Sequence, residues 1–457
     1  MESFWEFSSW GFFNLLAVLL ASLLVANMLR RSIPWLEASL IPTSVLGGGV
    51  LLVISMVYKS ITGIEFFDTP FFSGNGTAYL ELLTYHTLAL GFTASSLKST
   101  GSKMTKERSV EIFNTGLTTV ATYLLQAMAG LIICIVGAFF LDDLLEASGL
   151  LLALGYGQGP GQAMNYGSLY ELDYGFTGGK SFGLTIASMG FLAASIGGVM
   201  HLNYLKRKKK IRLDKGTGMA GETIEGNNEI PMQESIDKFT VQLALIMVAY
   251  MLAYLLMFLL GNLLPGMRAT IYGFNFLLGV LAATLLKTVM SALQKRNIIH
   301  RNYTNDFLLT RATNFFYDIM VTASIAAIRL KIIGQYWVVL LVMGVVGLVI
   351  TYIYVNFICR KLFPGYVEQQ FLAMYGMLTG TASTGVILLR EIDGDFKTPV
   401  ADNLVYQNFP AMIFGFPILL LATMAPTQPY LTLGIVFVFM IVINILLLRS
   451  FLFKKKA

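Results

Sequence analysis

The chain has 457 residues, of which 56% are apolar and 13% charged, with a formal net charge of +6. Soluble domains carry roughly 25% charged residues, so this composition excludes an ordinary water-soluble fold. The basic residues sit in short loops between apolar runs, which argues against a nucleic-acid partner. Cys134 and Cys359 lie inside apolar runs and the three histidines are scattered, so no disulfide framework, metal site or cofactor is expected.

From the N-terminus, Met1 to Trp10 carries Glu2 and Glu6 but no Lys or Arg, the wrong flank for a cleaved signal peptide. The first apolar run is therefore expected to remain. Runs long enough to cross a hydrocarbon core about 30 Å thick at 1.5 Å per residue occupy residues 12–30, 38–58, 79–97, 112–140 and 182–204. His86 falls mid-span in the third, where a buried, hydrogen-bonded core histidine is expected. Between the last two runs lies 149–169, equally long but interrupted by Gly155, Gly157, Gly159, Pro160 and Gly161. Alternate glycines followed by proline cannot sustain a membrane helix, and the segment reads as a re-entrant hairpin. Non-helical backbone at membrane depth is tolerated where it is buried in protein or lines a wet cavity. Freed N–H groups at a helix start suit an anion and freed carbonyls suit a cation such as Na⁺. Gln158, Gln162 and Asn165 add side-chain amides. The plainer alternative is close helix packing through small residues.

Residues 206–238 are polar and glycine-containing, with a basic cluster at Lys206 to Lys210, and read as a flexible cytoplasmic linker. A second set of spans follows at 239–260, 271–291, 308–328, 336–358 and 407–425, with a second broken segment at 371–391. The latter holds Thr379, Gly380, Thr381, Ser383, Thr384 and Gly385, whose hydroxyls can coordinate Na⁺ or donate to a carboxylate; Ser and Thr in membrane helices also bond back to their own backbone. Within 308–328, Asp318 follows Arg311 by two helical turns, and is either a cation site or half of a structural ion pair. Arg390 borders the second broken segment and is a candidate partner for a substrate carboxylate. Glu171 and Asp173, and Glu391 and Asp393, follow the two hairpins and are expected to mark the return to water. A last span, 430–450, ends in a basic tail.

The two sets match element by element at an offset of about 225 residues. Five spans per half is an odd number, so the second half is expected to be inverted. The fold expected is an all-α polytopic membrane protein of two inverted five-helix repeats, residues 1–205 and 239–428, each with a re-entrant hairpin. The linker 206–238 joins them and 429–457 adds one transmembrane helix. With the N-terminus outside, every one of the 32 basic residues except Lys59, Lys180, Arg268, Arg329 and Lys331 falls inside. Inverted repeats with broken helices mark secondary transporters, and no GxxxxGK[ST], GxSxG or HExxH pattern points to a pump or an enzyme.

Three segments resemble the bacterial sodium/glutamate symporter family. Ile41 to Gly48 is similar to its Ile-Pro-Glu-Pro-Val-Ala-Gly-Gly, with Thr43 and Ser44 in place of Glu and Pro; Gly157 to Ala163 is similar to Gly-His-Gly-Thr-Gly-Ala-Ala; and Gly380 to Gly385 to Gly-Ala-Thr-Pro-Thr-Ala. The resemblance implies Na⁺-coupled uptake of glutamate across a bacterial cytoplasmic membrane by a homodimer moving its hairpin-bearing part like an elevator. It places substrate and ion contacts on Gly157, Gly159, Gly161, Gly380, Thr381 and Thr384. The alternatives are another anionic amino acid, a dicarboxylate, a cation/proton antiporter titrating Asp318, or a channel or membrane receptor.

Overall fold

The computed structural model describes residues 5–98, 105–208, 229, 236–394 and 397–449. Its first helices are α1 (Phe7–Ser32), α2 (Pro34–Ala38), α3 (Thr43–Thr62), α4 (Gly76–Leu97) and α5 (Lys106–Ala138). A 3₁₀ turn (Glu146–Leu150) and a π turn (Ala153–Gly157) lead into α6 (Pro160–Tyr174) and α7 (Gly179–Arg207). Then come α8 (Lys238–Leu263), α9 (Arg268–Gly273), α10 (Asn275–Lys295), α11 (Asp306–Ala326) and α12 (Leu330–Leu362). The chain ends with α13 (Val367–Thr379), α14 (Ala382–Arg390), α15 (Val400–Tyr406), α16 (Asn408–Met424) and α17 (Pro429–Leu447).

Helix starts follow local chemistry. Thr105 accepts from Arg108 N at 3.3 Å, Asp237 from Phe239 N and Thr240 N, and Pro160 and Pro429 supply the first-turn residue that needs no N–H. Every predicted span has its helix. Among the described residues eight helices are long and apolar enough to cross a bilayer: α1, α3, α5, α7, α8, α10, α12 and α17. The α15–α16 pair, bent by 46°, makes a ninth. Helices α4 and α11 fall short of the eleven spans expected, because Glu81 and His86 on one and Asp306, Arg311, Asn314 and Asp318 on the other dilute their apolar character. The architecture is all-helical and compatible with a polytopic membrane protein. Most of the linker, including Lys209, Lys210 and its glycines, and the terminal lysines lie outside the described residues.

The chain divides into two compact units that do not coincide with the sequence halves. One takes the described residues of 1–77, 104–220 and 324–457, the other those of 78–103 and 221–323. In the second unit, Leu90, Ala94, Ile246, Ala249, Ala283 and Leu309 form a buried cluster, and Lys238 pairs with Glu229 at 2.7 Å. In the first unit, arginines concentrate toward one end, where acidic residues partner some of them: Arg108 meets Glu111 at 3.0 Å and Asp402 at 3.6 Å. Arg108 donates to Pro399 O, Arg449 to Asn114 and Arg360 stands 3.6 Å from Glu368, so these basic residues gather at one end with Arg207 and Arg390. Asp142, Asp143, Glu146 and Asp173 lie at the other, with Lys180 and Arg329 as exceptions.

Candidate functional site

Helix α7 serves as a ruler for the two broken segments. The first comes down along α5 from the acidic end, where Tyr336 donates to Asp143 O and packs its ring tilted on Phe176 and edge-on to Phe182. Gly149 packs on Gly130, and Gly157 reaches Tyr123 and Gln126. The chain then turns at Gln158–Gly159 and returns as α6: Ala163 packs on Gly183 and Gly167 on Gly179, back toward the start of α7. Tyr166 and Tyr170 tie this returning arm to Leu419 O and Ala422 O of α16 at 2.9 and 2.8 Å. The inbound arm stops after the π turn because Pro160 has no N–H to continue it and Gly159 adopts φ +88°, ψ 178°, a region essentially reserved for glycine.

The second segment enters from the opposite end. Helix α13 begins where His201 Nε2 meets Glu368 at 2.8 Å and His201 Nδ1 meets Tyr352 OH at 2.7 Å. It climbs α7 through Tyr375, whose hydroxyl donates to Ala193 O at 2.9 Å, and ends with Thr379 against Gly190. After Gly380–Thr381 the chain reverses into α14, with Leu388 back at Gly198. The two arms touch backbone to backbone: a Cβ on Gly376 would stand 2.8 Å from Gly385 Cα, so Gly376 and Gly385 are needed for close packing.

The two tips meet. A Cβ on Gly159 would lie 3.7 Å from Thr381 Cγ2 and 3.8 Å from Gly380 O. A Cβ on Gly190 would collide with Thr379 O and stand 3.1 Å from Tyr156 Cδ2, so this α7 glycine lets both tips approach one point. Gly190 is roughly 16 Å along α7 from Gly179, about half a hydrocarbon thickness. Electrostatically the tips are complementary. Both inbound arms end in carbonyls, and both outbound helices, α6 and α14, begin in N–H groups without intrahelical acceptors. Backbone N–H groups and carbonyls of the two tips therefore lie side by side.

Of the residues expected at the site, Gly157, Gln158, Gly159, Gly161, Gln162, Gly380, Thr381, Ser383 and Thr384 occupy the tips or the first turn after them. Thr381 Oγ1 and Thr384 Oγ1 are 3.4 Å apart, and Asn165 Nδ2 donates to Gln162 Oε1 at 3.1 Å. Gly385 serves the packing of the two arms. Arg390 is exposed at the far end of α14, roughly 14 Å along the helix from Thr381. Asp318 and Arg311 are exposed on α11, in the second unit, where Arg311 lies over the Phe307 ring. His86 is hydrogen-bonded as expected, to Tyr250 OH at 2.8 Å, but it is exposed, because it stands on an outward face of α4. Asp393 does not mark a return to water: it is buried and accepts from Lys397 N and Thr398 N, shaping the loop after α14. Glu171 accepts from Lys180 N at the start of α7.

Sequence reasoning missed the residues of α5 that hold the tips. Tyr123 OH donates to Gly157 O at 2.9 Å, and Gln126 Nε2 donates to Leu378 O at 2.9 Å and to Thr351 Oγ1 at 2.8 Å. One turn and two turns earlier, Thr119 donates to Gln407 and Thr115 accepts from Gln370. The signal was present as a row of polar residues at helical spacing, Thr115, Thr119, Tyr123 and Gln126, inside an otherwise apolar span. Among the described residues, no three His, Cys, Asp or Glu side chains come together as a metal site. No family model, no curated protein and no solved structure matches the chain.

Proposed function

We propose that the chain is a secondary active transporter that carries glutamate or a related anionic amino acid with Na⁺ across a bacterial cytoplasmic membrane. The observation that carries this reading is the meeting of two broken segments, entering from opposite ends of one unit, at a point where the N–H groups that open α6 and α14 adjoin carbonyls of the inbound arms. Inverted repeats account for the opposite directions of entry, and broken helices at a repeat interface suit solute and coupling-ion sites. A static helix bundle has no use for two interrupted segments whose polar backbone is costly to bury. The three motif resemblances supply the solute class and the coupling ion.

In this reading the anion lies against the N-termini of α6 and α14, and Na⁺ takes the neighbouring carbonyl oxygens. Each neutralises the other, so their affinities are coupled reciprocally. Both hairpins belong to one compact unit and the other carries neither, a division suited to elevator-like movement within a homodimer. The basic end of the first unit faces the cytoplasm under the positive-inside rule, with the N-terminus outside. The chain performs no chemical conversion.

The test is uptake of radiolabelled glutamate into proteoliposomes with an inward Na⁺ gradient against an equal K⁺ gradient, with aspartate and dicarboxylates in parallel. Na⁺-dependent accumulation of one of these solutes supports the reading. Absence of gradient-driven uptake of all of them contradicts it, and pH-dependent Na⁺ flux without solute assigns the chain to antiport instead.

A further inference from the structure

Gln126 stands on α5, outside both hairpins, and is fully buried. Its amide orientation is fixed by chemistry: the end that contacts the Leu378 carbonyl oxygen must be the nitrogen, and both amide hydrogens are used, on Leu378 O and Thr351 Oγ1. The other end, Oε1, has no hydrogen-bond donor among the described residues. It is aimed at the first tip, since a Cβ on Gly157 would lie 3.1 Å from it. A buried amide oxygen seldom lacks a partner, and such an exception calls for a specific explanation.

The surroundings of Oε1 select the partner. The π turn ends at Gly157, and Pro160 offers no N–H to the carbonyls before it. Helix α13 also ends beside Gln126, through Leu378 O. The end of the inbound arm of the first hairpin therefore places partial negative charge beside an unpaired amide oxygen, while α13 ends against the nitrogen of the same amide. The oxygens on offer at the first tip are neutral: the amide oxygen itself and Gly157 O, which accepts from Tyr123 OH at 2.9 Å and keeps a second lone pair, whereas Thr351 Oγ1 and Leu378 O lie on the Nε2 side. A divalent ion of the Ca²⁺ or Mg²⁺ kind calls for carboxylates, whereas neutral oxygens suit a monovalent hard cation. Gln162 provides the contrast: on the first turn of α6, its buried Nε2 is a donor without an acceptor among the described residues, on the side suited to an anion.

We infer that Gln126 Oε1 is a direct ligand of Na⁺, in a site completed by tip carbonyls of the first hairpin. Because Nε2 of the same amide grips Leu378, an ion on Oε1 links the first tip to the second through one side chain. The inference rests on the transport reading for its physiological role, but the binding site is testable alone. The probe is Na⁺ itself: the thermal unfolding midpoint of the purified full-length chain is titrated with NaCl replacing KCl at constant ionic strength. The wild type is expected to show saturable stabilisation specific to Na⁺. Gln126→Met, similar in size but without the amide oxygen, is expected to raise the half-saturating Na⁺ concentration by roughly tenfold or more, the range typical for losing a group that supports a bound ion.

No Na⁺-specific shift in the wild type, or an unchanged titration in a folded Gln126→Met, overturns the inference. Should Gln126→Met fail to fold, Gln126→Asn decides, because it withdraws the amide oxygen by one methylene: a raised half-saturation supports the site and an unchanged one overturns it. The uptake assay separates the two claims. Loss of Na⁺ stabilisation in the variant alongside no wild-type uptake leaves the ion site standing and removes the transport reading. Na⁺-driven uptake alongside a Na⁺ titration indifferent to Gln126→Met does the reverse.

Discussion

Substituting Gly159 by alanine isolates the backbone of the first tip. The residue sits at φ +88°, ψ 178°, where an L side chain is strained by about 1–3 kcal/mol. The added methyl itself meets nothing closer than Thr381 Cγ2 at 3.7 Å, ordinary van der Waals contact, so the whole cost is conformational. The tip can relieve that strain only by turning φ to a negative value. Such a turn moves it against Gly380–Thr381 by more than the ~0.5 Å that a binding constellation tolerates. The internal control is Gly434→Ala on an exposed part of α17, where a Cβ meets nothing within 4 Å and alanine should stabilise the helix by about 0.5–1 kcal/mol. Measured by thermal unfolding in detergent and by proteoliposome uptake, Gly159→Ala is expected to lower the midpoint by a few degrees and uptake at least about tenfold, while Gly434→Ala retains both. A Gly159→Ala protein with wild-type midpoint and wild-type uptake refutes the reasoning.

Gly190→Ala places a methyl into Thr379 O and against Tyr156, forcing the tips off α7. Overpacking of this kind costs about 1–3 kcal/mol, so both thermal stability and uptake should fall, and a variant unaltered in either excludes Gly190 as the meeting point. Tyr123→Phe removes the donor to Gly157 O at 2.9 Å. Leaving that carbonyl unpaired costs about 1–2 kcal/mol, which predicts an apparent solute affinity lowered roughly five- to thirtyfold; an unchanged KM for uptake argues that Tyr123 does not hold the tip.

The long helices were legible because lipid-length apolar runs are a one-dimensional signal, and the breaks were legible because Pro160 and the alternating glycines forbid a helix locally. The tip positions followed from the same residues. What could not be read was which surfaces the breaks meet. Gly190 looks like any small residue in a span until Thr379 and Tyr156 are placed on it, and Gln126 looks like a lone amide until its two hydrogen bonds leave one oxygen over. Arg390 was drawn to the site by sequence proximity to the second tip, yet a helix of nine residues carries it to the opposite end. Asp393 was read as solvated from its charge, whereas two backbone N–H groups compensate its burial. The two compact units were invisible for the same reason: they interleave the halves, and contact between distant segments leaves no local trace.

The re-entrant course of both broken segments is tested most directly by labelling single cysteines with a membrane-impermeant maleimide on intact cells and on inside-out vesicles. Cys134 and Cys359 are fully buried and can be left in place. Asp142 and Thr177 flank the first segment and Gly365 and Arg390 the second, and all four are exposed. Cysteines at 142 and 177 should label from one face only, and those at 365 and 390 from the opposite face only. Labelling of 142 and 177, or of 365 and 390, from different faces would mean that the segment between them crosses the bilayer, and the paired-tip site would be lost with it.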